Sequence, residues 1–593
     1  MSTPLPPSWP HCGHGADPVT DPVGCRGIHV PGHVACLAHL ADTDRFAYLT
    51  GLAAGAAIDH RGTPFTQELL AALLHALKDP TTGKPHLGPA EFGGAQFSGR
   101  AEFGGALFSG PAHFGEALFS GSAYFAGAQF AGVAHFGAAQ FAGRTWFRDA
   151  HFSDLAYFRQ AQFSGPVHFE GAQFSDLARF SEAQFSGPAH FGEALFSGAA
   201  HFREVQFDGV STLGPLVCAD TVVLSGAVFV LPVTLEIAAA QVVCVRTRWE
   251  STATVRVRYA AVDLSHAVLT APAAVIAHPT SFAHADSAMS EDLLAGSGLQ
   301  PRVPGRARVV SVQGVDAAHL VVTDVDLTDC LFSGAFHLDQ IRLEGRTTFA
   351  AAPTGWHRRG IRPIRFTRRR VVAEEHHWRA HTADQPVPPA GAAPDPRLWR
   401  SGPHHPDPAR TPGPEDVAAL YRQLRKAFED GKNEPGAADF YYGECEMRRH
   451  DTTGTTAGER RLLWGYWLLS GYGLRAWRAF TWLLAAMTVT VLLLMGAGLP
   501  TRDPDPATTG TLTASRISLH TSTPAPALHG GWRQRMTWAR AEKATRVAVN
   551  SVVFRSNGQN LTTAGTYIEM ASRILEPTLL ALAVLAIRGR IKR

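Results

Sequence analysis

The chain has 593 residues, too many for one hydrophobic core, so several domains are expected. A formal net charge of +3 gives no global signal for nucleic acid. Seven cysteines over this length do not make a disulfide framework and read as the reduced complement of a cytosolic protein.

The first 35 residues are rich in Pro, Gly and His and lack the apolar stretch of a secretory signal. Within "WPHCGHGADPVTDPVGCRGIHVPGHVACLAHL" stand Cys12, Cys25, Cys36 and His39, with His14 as an alternate ligand. Thiolates and imidazole are the donors zinc prefers, so a tetrahedral structural zinc site is one expectation. The spacing matches no standard finger, and the plainer alternative makes Cys36 a core residue and Cys12 and Cys25 loop thiols. Residues 1–89 are read as an N-terminal cap, with a helix near Thr66–Leu77 covering the first layer of the repeat region that begins at Ala90.

From Ala90 to Val210 run eleven consecutive 11-residue units, with Phe at the third and eighth positions of every unit. These positions hold 22 of the 34 phenylalanines, among them Phe92, Phe97, Phe103, Phe108, Phe114, Phe119, Phe136 and Phe141. A helix fails, because steps of five and six residues put successive Phe on different faces, and Gly and Pro recur in the units. A long strand fails as well, because a step of five inverts the face. A chain that turns between successive Phe returns each of them to a shared interior, which is a solenoid whose stacked units make the core.

The A-x-F-x-x cadence, as in Ala90-Glu91-Phe92-Gly93-Gly94 and Ala95-Gln96-Phe97-Ser98-Gly99, resembles pentapeptide-repeat proteins. The resemblance implies a mainly β fold, a right-handed quadrilateral β-helix with the Phe and the small residue two before it pointing inward. This chain adds one residue after every second pentapeptide, placed at a corner where Pro111, Pro166 and Pro188 fall, so two units make one 22-residue coil. Some members of that family mimic DNA. Residues 90–210 carry 11 acids against 6 Arg, too dilute for a phosphate backbone with a charge about every 1.7 Å. A rigid docking wall is the plainer reading.

Residues 211–356 are read as a degenerate continuation, interrupted by a loop near 279–306. Residues 357–413 are read as a basic and Pro-rich linker. Its Arg358, Arg359, Arg368, Arg369 and Arg370 are expected to meet anionic lipid. His377 and His381 stand at i, i+4 but lack the order of a zinc protease motif. Residues 414–449 are read as a helical hairpin with Val417, Leu420, Tyr421, Leu424 and Phe428 on one face, and its Glu444 and Glu446 as ion-paired rather than catalytic.

Residues 460–593 form the membrane module, with spans at about 479–499 and 567–587. Trp464, Trp467, Tyr472, Trp477 and Trp482 read as an interfacial belt. Glu569, Arg573 and Glu576 are ionisable groups within the second span and therefore functional candidates, the plain alternative being a Glu569–Arg573 pair across one turn. Basic flanks point to cytoplasmic termini, against which the loop 500–566 carries eight Arg and Lys, read as lying along an interfacial helix from Trp532 to Arg555. This third of the chain resembles the membrane half of bacterial pentapeptide-repeat membrane proteins and, more distantly, two-span ion channels. The resemblance rests on "FEDGKNEPGAADFYYGECEMRR", "YWLLSGYGLRAWRAF" and "RILEPTLLALAVLAIRGRIKR". It implies a pore helix at "VAVNSVVF" and a mouth at "RSNGQN", although the potassium filter sequence is absent.

The expected function is a membrane-anchored scaffold with a cytoplasmic solenoid in the cell membrane and no catalytic activity. The alternatives are an ion-channel-like pore and a membrane-associated oxidoreductase, for which no dinucleotide fingerprint, P-loop or nucleophile motif is found. Expected partners are the membrane, a protein docked along the solenoid and, for a pore, further copies of the chain. No specific nucleic acid is expected.

Overall fold

The computed structural model describes residues 6–17, 19–284, 287–295, 306–359, 362–366, 369–385, 395–400, 412–502, 505–513, 516–553 and 560–591. It divides into two compact units, residues 1–412 and 413–593.

The first unit is a right-handed β-solenoid. Each 22-residue coil contributes four two-residue strands, and each strand pairs in parallel with its equivalent in the next coil. Thus Ala90 pairs with Ala112, Gln96 with Leu118, Ala101 with Ala123 and Leu107 with Gln129. Two-residue strands suffice because the ladder runs along the stack, not along the strand. Every Phe of the repeat is at most 1% exposed. The rings form columns: Phe92, Phe114, Phe136 and Phe158 stack face to face at 5.0 Å centroid separations. Adjacent columns meet edge to face, as between Phe125 and Phe136 at 5.4 Å and 83°. The edge-to-face contacts are a geometry that the ring quadrupole favours.

Two kinds of corner join the strands. In the first, the amide of the sixth position bonds the carbonyl of the third, as Ala95 to Phe92 at 3.0 Å, and the fifth position has positive φ. The positive φ holds in all eleven units, although the residue is Gly in only four of them (Gly94, Gly105, Gly127, Gly171). Ala138 at φ 55° and Glu182 at φ 61° carry the same left-handed backbone with a side chain. The second corner holds the tenth position, which is Gly in nine of the eleven units and Asp154 and Asp176 in the other two, and most of these glycines lie close against the coil below. A Cβ on Gly143 would sit 2.6 Å from the carbonyl oxygen of Gly121 one coil below.

The coil starts before the regular repeat. Ile58 pairs with Ala90, Pro64 with Gln96 and His86 with Leu107, and Phe65 stacks on Phe97 at 5.3 Å. The helices α1 (Asp42–Thr50) and α2 (Gln67–Ala76) belong to this end, and Thr66 caps α2 by accepting from the Leu69 amide. After Val210 the strands lengthen, as in Thr212–Val223 and Val233–Val243, and parallel pairing continues to Arg342–Glu344. The interruption expected near 279–306 folds partly back: Phe282 packs on Val217 and Ala238, and Arg258 pairs with Glu291 at 2.6 Å.

The segment read as a linker is in part a lid. Helix α3 (Ala373–Thr382) buries Glu374, Glu375 and His376. The Glu374 carboxylate accepts from the amides of Phe332 and Ser333, bonding free backbone groups of the last coil.

In the second unit, α4 (Pro414–Asp430) and α5 (Glu434–His450) form the expected hairpin, with Val417, Leu420, Tyr421, Leu424 and Phe428 buried. Helix α6 (Ala457–Ser470) follows, then α7 (Ala476–Leu493), whose end widens into π geometry over Leu494–Gly498. Helix α8 (Trp538–Val552) and the 29-residue α9 (Thr563–Ile591) complete the unit. Two stretches, Ala476–Gly498 and Thr563–Arg588, are long and apolar enough to cross a membrane. They meet through small residues: a Cβ on Gly565 would lie 2.2 Å from the Gly498 carbonyl oxygen, and Thr562 donates to Ala497 at 2.6 Å.

The helix expected from Trp532 to Arg555 is two pieces, Trp532–Arg535 and α8, and Arg555 lies outside the described residues. Helix α8 turns Ala544, Val547, Ala548 and Ser551 inward, and Ala544 and Val547 pack with Leu494, Met495 and Leu499. Two of the eight basic residues have a structural use: Arg540 donates to the carbonyls of Met495, Leu499 and Pro500, and Arg535 to that of Gly496. They satisfy the open carbonyls at the negative end of the first span. The aromatic belt is also divided. Trp464, Trp477 and Trp482 are exposed, but Tyr472 is buried and donates to Glu446, and Trp467 donates to Tyr442.

Candidate metal centre and outer surfaces

The N-terminal segment folds as a loop pair that brings distant cysteines together. The Cys12 amide bonds Gly27 and the Gly13 amide bonds Cys25, while Cys36 and His39 sit on one turn whose His39 amide bonds the Cys36 carbonyl. Gly27 is required here, because a Cβ on it would fall 2.6 Å from that of Cys36. The ligand atoms of Cys12, Cys25, Cys36 and His39 all lie within 4.8 Å of one another. Cys25 Sγ and Cys36 Sγ are 3.7 Å apart, Cys36 Sγ and His39 Nδ1 3.3 Å, and Cys12 Sγ and His39 Nδ1 3.6 Å. A tetrahedral zinc with bonds of about 2.3 Å to sulfur and about 2.0 Å to nitrogen sets its donors roughly 3.5–3.8 Å apart. The four residues therefore form a site able to hold a metal ion of the kind that takes three thiolates and an imidazole. His14 does not join the donors; its ring stacks on that of His39 at 4.1 Å.

The electrostatics suit a thiolate cluster. A hydrogen bond from the Cys36 thiol pulls Cys25 down to about 5, and the same contact with burial pushes Cys36 up. The Gly27 amide also donates to Cys25 Sγ at 3.4 Å. One thiol thus ionises readily and the second needs a cation to do so.

Among the arginines assigned to lipid, Arg369 is a correction. It is 6% exposed and pairs with Glu375, which also holds Arg379 at 2.6 Å, so it is committed to the lid. Arg370 is half-buried, on a strand in which it pairs with Ala351. Arg358 and Arg359 lie on the strand Gly355–Arg359, and Arg368 lies outside the described residues. The pair His377 and His381 is not where α3 places its buried chemistry. His376 is, donating through Nε2 to Ala351 and accepting at Nδ1 from the Arg400 amide, and burial lowers it to about 3.

Glu444 takes Arg422 at 3.1 Å and Arg425 at 2.9 Å, and Glu446 takes Arg449 at 2.6 Å, which is the ion-paired arrangement. Glu569 and Arg573 pair at 2.6 Å across one turn of α9, while Glu576 is fully buried beside Ser551.

The outside of the solenoid carries ladders in coil register. On one face Arg100 lies 4.0 Å over the Tyr124 ring, Tyr124 stacks on Trp146 at 4.1 Å, and His168 stacks on His190 at 4.9 Å. On another face Gln140, Gln162, Gln184 and Gln206 follow one another. A groove of about 340 Å³ near the later coils is lined by Arg159, Arg179, Arg203 and His201 with Glu182 and Glu204. Burial, then Arg203 and Arg179, lower the His201 pKa.

Residues 87–129, 114–161, 125–173 and 169–214 match the family model described as pentapeptide repeats (9 copies). The regular solenoid is a pentapeptide-repeat solenoid. Neither a curated protein nor a solved structure matches the chain. The chain is thus a pentapeptide-repeat β-solenoid followed by a region with two membrane-length helices.

Proposed function

We propose that this membrane-associated solenoid is an anchored scaffold that docks a protein partner on the cytoplasmic side and performs no catalysis. The observation that carries the reading is the outward ladder of Arg100, Tyr124, Trp146, His168 and His190 on one face of a wall built of repeated rungs. Aromatic and Arg side chains held rigid by their neighbours are the groups that dominate protein interfaces. The Gln face, with neither ring nor charge, has no such endowment. In the native membrane, a photo-crosslinking residue at Trp146 is expected to yield one discrete adduct that Tyr124→Ala diminishes. The same residue at Gln162 is expected to yield none. Equal adducts from both faces would remove the scaffold reading.

A pore is the second reading, and one arrangement favours it: α8, between the two membrane-length helices in sequence, packs on both of them. A pore made by two spans needs several chains around an axis. A detergent-solubilised mass of one chain contradicts the pore, and a closed oligomer with ion flux in vesicles contradicts the scaffold.

A further inference from the structure

The groove on the later coils has a direct origin in the sequence. The fourth position of alternate units stacks in coil register, and over three coils it reads Arg159, Ser181, Arg203. In the three coils before, the same position is Gly93, Gly115 and Gly137, which have no side chain to wall a groove. A short serine between two long arginines leaves a gap. The second position supplies the adjoining wall, because Tyr157 pairs with Arg179 and Arg179 with His201 on successive coils. The hollow so formed, about 340 Å³, stands at the lower end of the roughly 300–1,000 Å³ of small-molecule sites.

Its charges do not cancel. Glu182 is committed: Arg159 donates to its Oε1 through Nε at 3.0 Å and Nη2 at 2.8 Å, and Gln160 donates to its Oε2 at 2.7 Å. Arg179 rests over the Tyr157 ring, with Cζ 5.6 Å from the centroid. Among the described residues neither Arg179 nor Arg203 has an ion-pair partner. The remaining carboxylate, Glu204, leans along the stack, its Cγ 3.1 Å from where a Cβ on Gly226 of the next coil would stand. Three arginines against two glutamates leave one positive charge in excess. The His201 ring feels this field: after burial, Arg203 and Arg179 lower its pKa, and the opposing pull of Asp220 is smaller.

A guanidinium fork donates two parallel N–H bonds to an oxyanion. Two forks, a serine hydroxyl and an imidazole N–H can meet three oxygens at once, and two unanswered positive charges match the about −1.5 to −2 of a phosphate monoester. A carboxylate, with two oxygens and one charge, would leave one fork unused. Coils stack roughly 4.8 Å apart, so Arg179 and Arg203, on neighbouring coils, are within reach of one phosphate group.

We infer that this groove is a binding site for a phosphate monoester, held by Arg179 and Arg203 with Ser181 and His201 as further donors, while Arg159 and Gln160 keep Glu182 from competing. The strands of the Arg100–Trp146 ladder belong to a separate sheet, so loss of either surface leaves the other intact.

The test titrates the full chain in detergent with O-phosphoserine by calorimetry, at constant ionic strength and at pH 7.5, above the second phosphate pKa of about 6. One site per chain is expected, with serine and acetate failing to bind. Arg179→Ala and Arg203→Ala should each weaken binding about tenfold or more, the worth of a charge-assisted hydrogen bond. Glu204→Gln should tighten it about two- to fivefold, a gain that a folding defect cannot mimic. Arg148→Ala, at an exposed arginine on another corner, should change nothing. Short-chain phosphatidic acid in place of phosphoserine distinguishes the carriers: binding at least tenfold tighter assigns the phosphate to a lipid headgroup, and equal or weaker binding assigns it to a soluble ester. No saturable binding by the wild type at millimolar phosphoserine overturns the site. Equal losses in Arg148→Ala and Arg179→Ala overturn it as well, and acetate bound as tightly as phosphoserine overturns the ligand class.

Discussion

Replacing Phe136 by Ala removes a ring from the middle of the stack. The ring is 0% exposed, lies face to face with Phe114 and Phe158 at 5.0 Å, and meets Phe125 and Phe147 edge-on at 5.4 Å. A buried Phe→Ala change costs about 3–5 kcal/mol, and each lost ring pair accounts for roughly 0.5–1.5 kcal/mol beyond its area. The upper part of the range is expected here, because the flanking rings are held by parallel ladders on both sides and cannot collapse into the gap. Phe136→Leu keeps most of the volume and should cost roughly 1–2 kcal/mol. Gln140→Ala, four residues away and outward, should stay within about 0.5 kcal/mol. Peptide-resolved hydrogen exchange on the full chain in detergent reads the opening free energy of 125–147 directly. Exchange in that window should rise by about a thousand- to five-thousandfold in Phe136→Ala. Equal protection in Phe136→Ala and Gln140→Ala would mean that the Phe columns are not what holds the coils together.

Three further outcomes are expected. Ala138→Gly should raise the denaturant midpoint, reversing the usual sign, because removing Cβ at φ 55° relieves about 1–2 kcal/mol against a glycine entropy cost of roughly 0.5–1 kcal/mol; a lower midpoint contradicts it. Protein prepared without chelator should contain about one zinc per chain by metal analysis, and Cys36→Ser should lose it; metal-free wild type removes the site. His60 is buried and held neutral at about 4, so the folded state refuses a proton that the unfolded chain takes below about 6.5. Its contribution is complete above pH 6.5 and falls by about 1.4 kcal/mol per pH unit toward pH 4. The difference in midpoint between wild type and His60→Gln should therefore change over that window, and a constant difference refutes the assignment.

The regular repeat is legible because its period exposes the register: Phe at the third and eighth positions of every unit follows from one physical demand, a shared interior. The left-handed fifth position is not, since seven of eleven units place a side chain there and hide the glycine signal. The coil from Ile58 to Leu87 looks like cap in the sequence because only Phe65 carries the cadence into it. Helix α3 looked like linker because its buried face is Glu374, Glu375 and His376. Glu374 and His376 turn inward there to bond backbone of the solenoid end and Glu375 to hold Arg369 and Arg379, partners that sequence pattern cannot display. The metal donors were legible by type, but their convergence depends on backbone bonds such as Cys12 to Gly27. Glu576 was visible as a charge in a span, whereas Ser551, 25 residues earlier on another helix, was not visible as its partner.

The central claim is a solenoid held at a membrane by two crossings. Single cysteines at Gln140 on the solenoid, Ser522 between the spans and Gly589 after the second span, each in a background lacking the native cysteines, can be challenged on intact cells with an impermeant maleimide. Ser522 is expected to react at once, and Gln140 and Gly589 only after permeabilisation. Labelling of all three from the same side would show that neither helix crosses, and the anchored solenoid would have to be abandoned.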